Sequence, residues 1–379
     1  MKIQIDGTNT LNKGAELMLK AIYDQVVKRF PEAKIYYNPN EIEDSLPDFF
    51  IQKEVKKRAF VQHGRIPSAI LRRLKLPYTY FTPKYAIKGL DLVLDGAGFQ
   101  FSDQWRYTEE MLNMLENYYG KLKRQGTKIV LLPQAFGPFE TPEGKRTVSI
   151  INKYVDLIIA REQVSYRYVI DAGADKNKVW LYPDFTLLVK GVFPQKHESV
   201  RDKICVIPNK KMITHTSSGS EDYISFITKI VSHLEKKGEQ VFLLNHEGEG
   251  DLALCHKINK ILNQRLTIIT GLGPEKVKGV IGASKMVISS RFHGVASALN
   301  QGVPCLATSW NHKYQMLFKD FGQENMVLVL GGILSEEIDK IDNALAERNT
   351  IKSTLKMRKE VLTEQVQTMW NRVWSETDL

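Results

Sequence analysis

Short apolar runs separated by stretches of helical periodicity recur along the whole chain. Residues 3–5, 35–37, 90–94, 128–132, 157–160 and 179–181 read as buried strands. Between them apolar positions return every three or four residues over 16–29, 107–125 and 142–154, and a further helix opens at Arg161-Glu162 and ends at Ala172-Gly173. In the second of these the stripe is Met111, Leu112, Leu115, Tyr118, Tyr119 and Leu122, and its aromatics read as core. The pattern lapses over 188–198, where Gly191, Pro194 and mixed charge read as an interdomain linker. It then restarts with strands over 204–207, 241–244, 266–269, 286–289 and 303–308. Helices are expected over 221–237, 251–262 and 274–283, with another beginning at or just after Gly294. Two more, over 335–347 and 351–374, close the chain.

Alternation of this kind predicts parallel sheets flanked by helices. The expected α/β fold is two Rossmann-like domains facing a cleft, an acceptor-side domain over 1–190 and a donor-side domain over 191–350, with a C-terminal helix (351–379) packing back. That plan is GT-B-like, after the class of sugar-handling enzymes, and the analogy is one of architecture.

Composition adds a compartment and charge adds a surface. Cys205, Cys255 and Cys305 have neither paired spacing nor metal-ligand spacing, which fits a reducing compartment. The chain enters a strand at Lys2 without a leader pattern, and no apolar run approaches the roughly 20 residues of a membrane span, so a cytoplasmic protein is expected. The net charge is +10, and ten basic residues between Lys53 and Lys88 face Glu54 alone, which places +9 of it in that stretch. Interleaved with Phe60, Leu74, Tyr78, Tyr80 and Phe81, this basic insertion with helical pieces suits an anionic membrane surface or a lipid-linked phosphate at the inner face of the membrane. Nucleic acid would accept such a patch too but is not the expected partner, and a solvated basic insertion explains the run as well.

The chemistry concentrates at a strand-to-helix turn, Ser289-Ser290-Arg291-Phe292-His293-Gly294, whose helix is stopped by Gly302-Val303-Pro304. Such turns lie at the carboxyl edge of open α/β sheets, where ligands bind, and a helix start favours an anion. Two small-residue turns, Asp6-Gly7-Thr8-Asn9 with Asn12 to Glu16 and Asp95-Gly96-Ala97-Gly98, fall at the matching edge of the first domain. Neither forms a dinucleotide fingerprint. His246-Glu247-Gly248-Glu249-Gly250-Asp251 invites a metal reading, yet its spacing matches no ligand set, and acids at a helix start are explained by the helix dipole.

Taken in order, Asn12-Lys13-Gly14-Ala15-Glu16-Leu17, Leu132-Pro133-Gln134-Ala135-Phe136-Gly137-Pro138, Ala160-Arg161-Glu162 with Ser165, Pro183-Asp184, and Ser290-Arg291-Phe292-His293-Gly294 with Gly302-Val303-Pro304 resemble the polysaccharide pyruvyl transferase family. The resemblance runs from the first strand to about Phe321 and leaves the basic stretch and the last helices unmatched. It implies transfer of pyruvate from phosphoenolpyruvate to two hydroxyls of one sugar, in a polysaccharide or its lipid-linked precursor, forming a cyclic ketal and releasing phosphate. No cofactor or metal is demanded. Arg291 and Arg161 are then expected to bind the donor anions and His293 to act as general acid or base. Phe292, Gly294 and Lys313 fall to the donor site, with a surface role the alternative for Lys313. Asn12, Glu16, Asp95 and Gln134 fall to the acceptor side, with a structural turn the alternative for Asp95.

Two other readings stand beside this one. A GT-B glycosyltransferase using a nucleotide sugar commonly places an acid on the helix after such a turn to hold the ribose, whereas no Asp or Glu occurs from Arg291 through Lys319. A carboxylate-free cationic site suits a compact dianion better. A polyanion- or membrane-binding scaffold would rest on the 53–88 patch alone, and its binding would survive loss of Arg291 and His293.

Overall fold

Strands form where short branched and aliphatic runs are buried on both faces, as parallel sheets require. A computed structural model describes residues 1–10, 12–37, 56–57, 89–214, 220–308 and 313–377. The first sheet contains β1 (Lys2–Asp6), β2 (Lys34–Tyr37), β3 (Lys56–Lys57), β4 (Leu92–Asp95), β5 (Lys128–Gln134), β6 (Leu157–Ala160) and β7 (Val179–Leu181), in the order β3-β2-β1-β4-β5-β6-β7. The second contains β8 (Ile204–Ile207), β9 (Val241–Leu244), β10 (Thr267–Ile269), β11 (Met286–Ser289), β12 (Cys305–Thr308) and β13 (Val327–Leu328), in the order β10-β9-β8-β11-β12-β13. The ladders are parallel, so each half is a doubly wound domain with its strand order reversing beside β1 and β8. The loops after β1, β4, β8 and β11 leave those reversal points, and they face one another across the cleft.

The helices follow the periodicity, with ends set by capping. In the helix Lys13–Arg29 the Asn12 side chain accepts hydrogen bonds from the Gly14 and Ala15 amides, so the helix starts three residues before its apolar stripe. Pro142–Tyr154 is capped by Thr141 and has proline in its first turn. The helix after β11 runs Phe292–Leu299 with Arg291 as its cap, which corrects the later start expected at Gly294 and puts His293 in the first turn. Lys211–Thr214 and β13 were not apparent from the pattern, being too short to show a period. Of the basic stretch, only Lys56 and Lys57 are described; they pair with Tyr36 and Tyr37 as a parallel edge strand, and the expected helical pieces lie outside the described residues.

The last helix, Arg348–Glu376, belongs to both domains. At about 1.5 Å per residue its 29 residues span about 44 Å. Ile351, Leu355 and Leu362 enter the core of the second domain, whereas Val366, Met369, Trp370, Val373 and Trp374 enter that of the first. The segment 188–198 is likewise held: the Val192 amide donates to the Glu275 carbonyl, and the backbone at Val192 lies where a side chain at Gly279 would stand. Among the described residues no helix is long and apolar enough to cross a membrane.

Candidate active site

The β11-to-helix turn is held rigid from beneath. The Ser290 carbonyl accepts hydrogen bonds from Asn209 Nδ2 at 2.8 Å and Tyr314 Oη at 2.9 Å, and its hydroxyl lies 2.6 Å from Tyr223 Oη. Gly294 fits because a Cβ there would lie 2.5 Å from Ser289 Oγ, so its role is close packing of the helix on the strand. The Arg291 side chain makes no capping hydrogen bond to this helix, and the first turn lies at the cleft wall with Phe292 and His293.

From this turn three consecutive residues diverge. Arg291 is bidentate to Asp251, with Nε and Nη2 each 2.7 Å from a carboxylate oxygen, and its Nη1 donates to Glu247. Burial disfavours its charge, but the two carboxylates outweigh burial and hold the guanidinium even more basic than usual. The run 246–251 therefore neutralises Arg291, a purpose the helix dipole had seemed sufficient to explain. Phe292 lies between the two domains: the Arg161 guanidinium sits 4.2 Å from its ring centroid, and Tyr314 packs against it edge-on. His293 crosses the seam and packs over Gly14, where an added Cβ would be 2.2 Å from Nδ1; its Nε2 is 3.8 Å from Asp184 Oδ2.

Arg161, at the end of β6, differs from Arg291. It is buried, and among the described residues its side-chain hydrogen bond is a long one, 3.5 Å from Nη1 to Asp184 Oδ2. Burial lowers its basicity despite Asp184, Glu162 and Asp320, yet an arginine stays protonated. Asp184 thus lies between Arg161 and His293. Burial opposes its ionisation, but His293, Arg161 and the Thr186 hydroxyl and amide prevail and hold its carboxyl below the usual range.

Arg161, Arg291, Phe292 and His293 border a cleft of about 600 Å³ between the domains, which Asn12, Gly98, Trp105, Lys211 and His246 also line. The site is not carboxylate-free, which corrects the expectation drawn from 291–319. Glu247, Asp251 and Asp184 reach the neighbourhood of the turn from distant parts of the chain, and Asp320, one residue past that run, adds its charge near Arg161. Among the described residues no three His, Cys, Asp or Glu side chains converge as a metal-ligand set.

The acceptor-side expectations divide. Asn12 lines the cleft, and its Nδ2 donates to Glu247 Oε2 at 3.0 Å, joining the domains. Glu16 is buried against Lys13, 2.5 Å away, and does not line the cleft. Gln134 is fully buried and accepts from the Gln100 amide at 3.3 Å, which fixes the β4 loop rather than reaching the cleft. Asp95 takes the structural alternative: it is buried and its Oδ1 accepts from the Ala97 amide at 2.9 Å. Burial and the neighbouring Asp6 raise its pKa to about 7. Lys313 opens the helix Lys313–Asp320, and its side chain lies outside the described residues. Sequence reasoning missed Asn209, Tyr223 and Tyr314, which carry no motif and act by position alone.

Known proteins share the fold, and some share sequence features. HepE of Anabaena, solved with UDP and glucose, superimposes with a TM-score of 0.60 over 99% of this chain and 98% of its own at 13% identity. The UDP-GlcNAc 2-epimerase of Methanocaldococcus jannaschii gives 0.55 over 91% of this chain and 93% of its own at 12% identity. At such identities the likeness is one of fold, and the fold is GT-B-like. The amylovoran biosynthesis protein AmsJ of Erwinia amylovora is 19% identical over 393 residues, covering 90% of this chain and 92% of AmsJ. The family model for polysaccharide pyruvyl transferase matches residues 12–312, the span holding the loops after β4, β8 and β11, Arg161, Asp184 and the 291–293 turn. The chain belongs to the polysaccharide pyruvyl transferase family.

Proposed function

We propose that the protein transfers the pyruvyl group of phosphoenolpyruvate to two hydroxyls of one sugar in a polysaccharide or its precursor, closing a cyclic ketal and releasing phosphate. The observation that carries this reading is Arg161: a buried guanidinium with one long hydrogen bond, stacked on Phe292 and sharing Asp184 with His293 at the cleft wall. Its unused N–H groups suit a carboxylate or phosphate, and the first-turn amides of Phe292–Leu299 suit the second anion. Arg291, already held by two carboxylates, serves to fix the turn. His293 beside Asp184 is placed to hold a proton and deliver it to the donor methylene carbon. Asn12 and the first-domain loops supply the acceptor wall.

Titration calorimetry tests the donor. Phosphoenolpyruvate should bind the wild-type protein, and Arg161→Ala should weaken that binding at least tenfold, about 1.4 kcal/mol or more. Binding of UDP-glucose in its place, with phosphoenolpyruvate inert, would move the reading to a nucleotide-sugar glycosyltransferase.

A further inference from the structure

The cleft contains a second histidine to which no role has been given. His246 follows β9, is 4% exposed and lines the cleft with Glu247, Arg291 and His293. Its Nδ1 is buried and has no hydrogen-bond partner among the described residues. Leaving a buried nitrogen unpaired is costly, so a natural partner for it is a polar group brought into the cleft. The two rings sit in opposite surroundings. His293 has the Asp184 carboxylate 3.8 Å away. His246 is kept from protonation first by burial and then by Arg291, His293 and Lys13, so it stays neutral well below the usual histidine range. Glu247, next in the chain, directs its carboxylate to Arg291 and Asn12. Two rings in one cleft, one beside a carboxylate and the other beside a guanidinium, are suited to divide acid and base work between them.

We infer that His246 is the second proton-transfer residue of the cleft, taking the proton of the first attacking sugar hydroxyl while His293 protonates the donor carbon. This rests on the pyruvyl-transfer reading. The hydroxyl oxygen bonds to C2 of phosphoenolpyruvate as its proton passes to His246 Nδ1, and the C2–C3 π electrons take the His293 proton to make the methyl group. The C2–O bond to phosphate then breaks, with the electron pair leaving on phosphate, which accepts the proton from His246. The second hydroxyl closes the ketal at C2 and returns its proton to His293. Both rings end as they began, and the two hydroxyl protons are accounted for on the methyl group and on phosphate.

The test follows phosphate release from phosphoenolpyruvate with methyl galactopyranoside, glucopyranoside and mannopyranoside, using the full chain and its His246→Gln variant. The variant should match the wild type in melting temperature and in phosphoenolpyruvate affinity within threefold, and lose at least 100-fold in kcat. The acid limb of the wild-type kcat profile, set by the neutral base, should vanish with it. Turnover within threefold of wild type, an unchanged acid limb, or a loss confined to donor affinity overturns the inference and leaves the donor reading standing. If His246→Gln does not fold, His246→Asn is read by the same criteria. A wild-type protein that neither binds phosphoenolpyruvate nor releases phosphate from it overturns the donor reading itself, and the inference with it.

Discussion

Arg161 and Arg291 are both buried beside Phe292, yet they differ in what they can still bind. Asp251 grips Arg291 at 2.7 Å through two nitrogens, whereas Arg161 has, among the described residues, one side-chain hydrogen bond of 3.5 Å. An incoming anion gains most at the second, because the Arg161–Asp184 pair is a single long contact rather than a bidentate grip. Asp95 shows the same economy of position in another sense. Its pKa of about 7 stands above the ordinary 3.8, so the folded protein retains a proton that the unfolded chain has lost. Stability contributed by the protonated form is therefore complete below about pH 4 and is lost as pH rises toward 7, with a limiting slope of about 1.4 kcal/mol per pH unit. Asp95→Asn keeps an acceptor for the Ala97 amide and should flatten that slope, as denaturant melts at pH 5, 6 and 7 would record. An identical slope in the variant would place the titration elsewhere.

At the level of elements, the decisive contact is the close approach of two helix starts. Gly14, in the first turn of Lys13–Arg29, has no side chain and so leaves room for the His293 ring. Gly14→Ala would place a Cβ 2.2 Å from His293 Nδ1 and force the ring out. Alanine is the better helix former by up to about 1 kcal/mol, so fold stability should hold while turnover falls at least tenfold. A variant with full activity would show that the ring tolerates displacement. Much of this level was legible beforehand. The runs at 157–160, 204–207, 241–244 and 286–289 are strands with those bounds, because parallel strands buried on both faces leave an unbroken apolar signature. The start of Phe292–Leu299 was misplaced because an arginine cap lacks the usual Ser, Thr, Asp or Asn signal. The carboxylates around Arg291 and Arg161 were hidden for a different reason. Asp184 stands 109 positions before His293, and only the folded topology brings them together.

The whole molecule is two domains clasped around a cleft, and the clasp contains a buried lysine. Lys278 Nζ, from the second domain, donates to the Thr186 carbonyl of the first at 2.8 Å. Burial lowers its pKa from 10.5 to about 7, with Asp184 opposing the shift and Lys359 adding to it. The unfolded chain therefore binds more protons between pH 7 and 10.5, and stability should rise with pH across that window. Lys278→Met should abolish the rise in denaturant melts at pH 7, 8 and 9; a rise that persists would assign the clasp no part in it. Together with the helix Arg348–Glu376, which enters both cores, this seam fixes the distance between Arg161 on one wall and His293 on the other. Family membership sets the frame of polysaccharide modification, and the donor chemistry is the central claim within it. Its most direct measurement is carbon NMR of phosphoenolpyruvate labelled at C3, incubated with the protein and a sugar acceptor. The label should move from a methylene to a methyl carbon attached to a quaternary ketal centre, with one phosphate released for each. A label that stays in phosphoenolpyruvate while a nucleotide sugar is consumed would contradict the account.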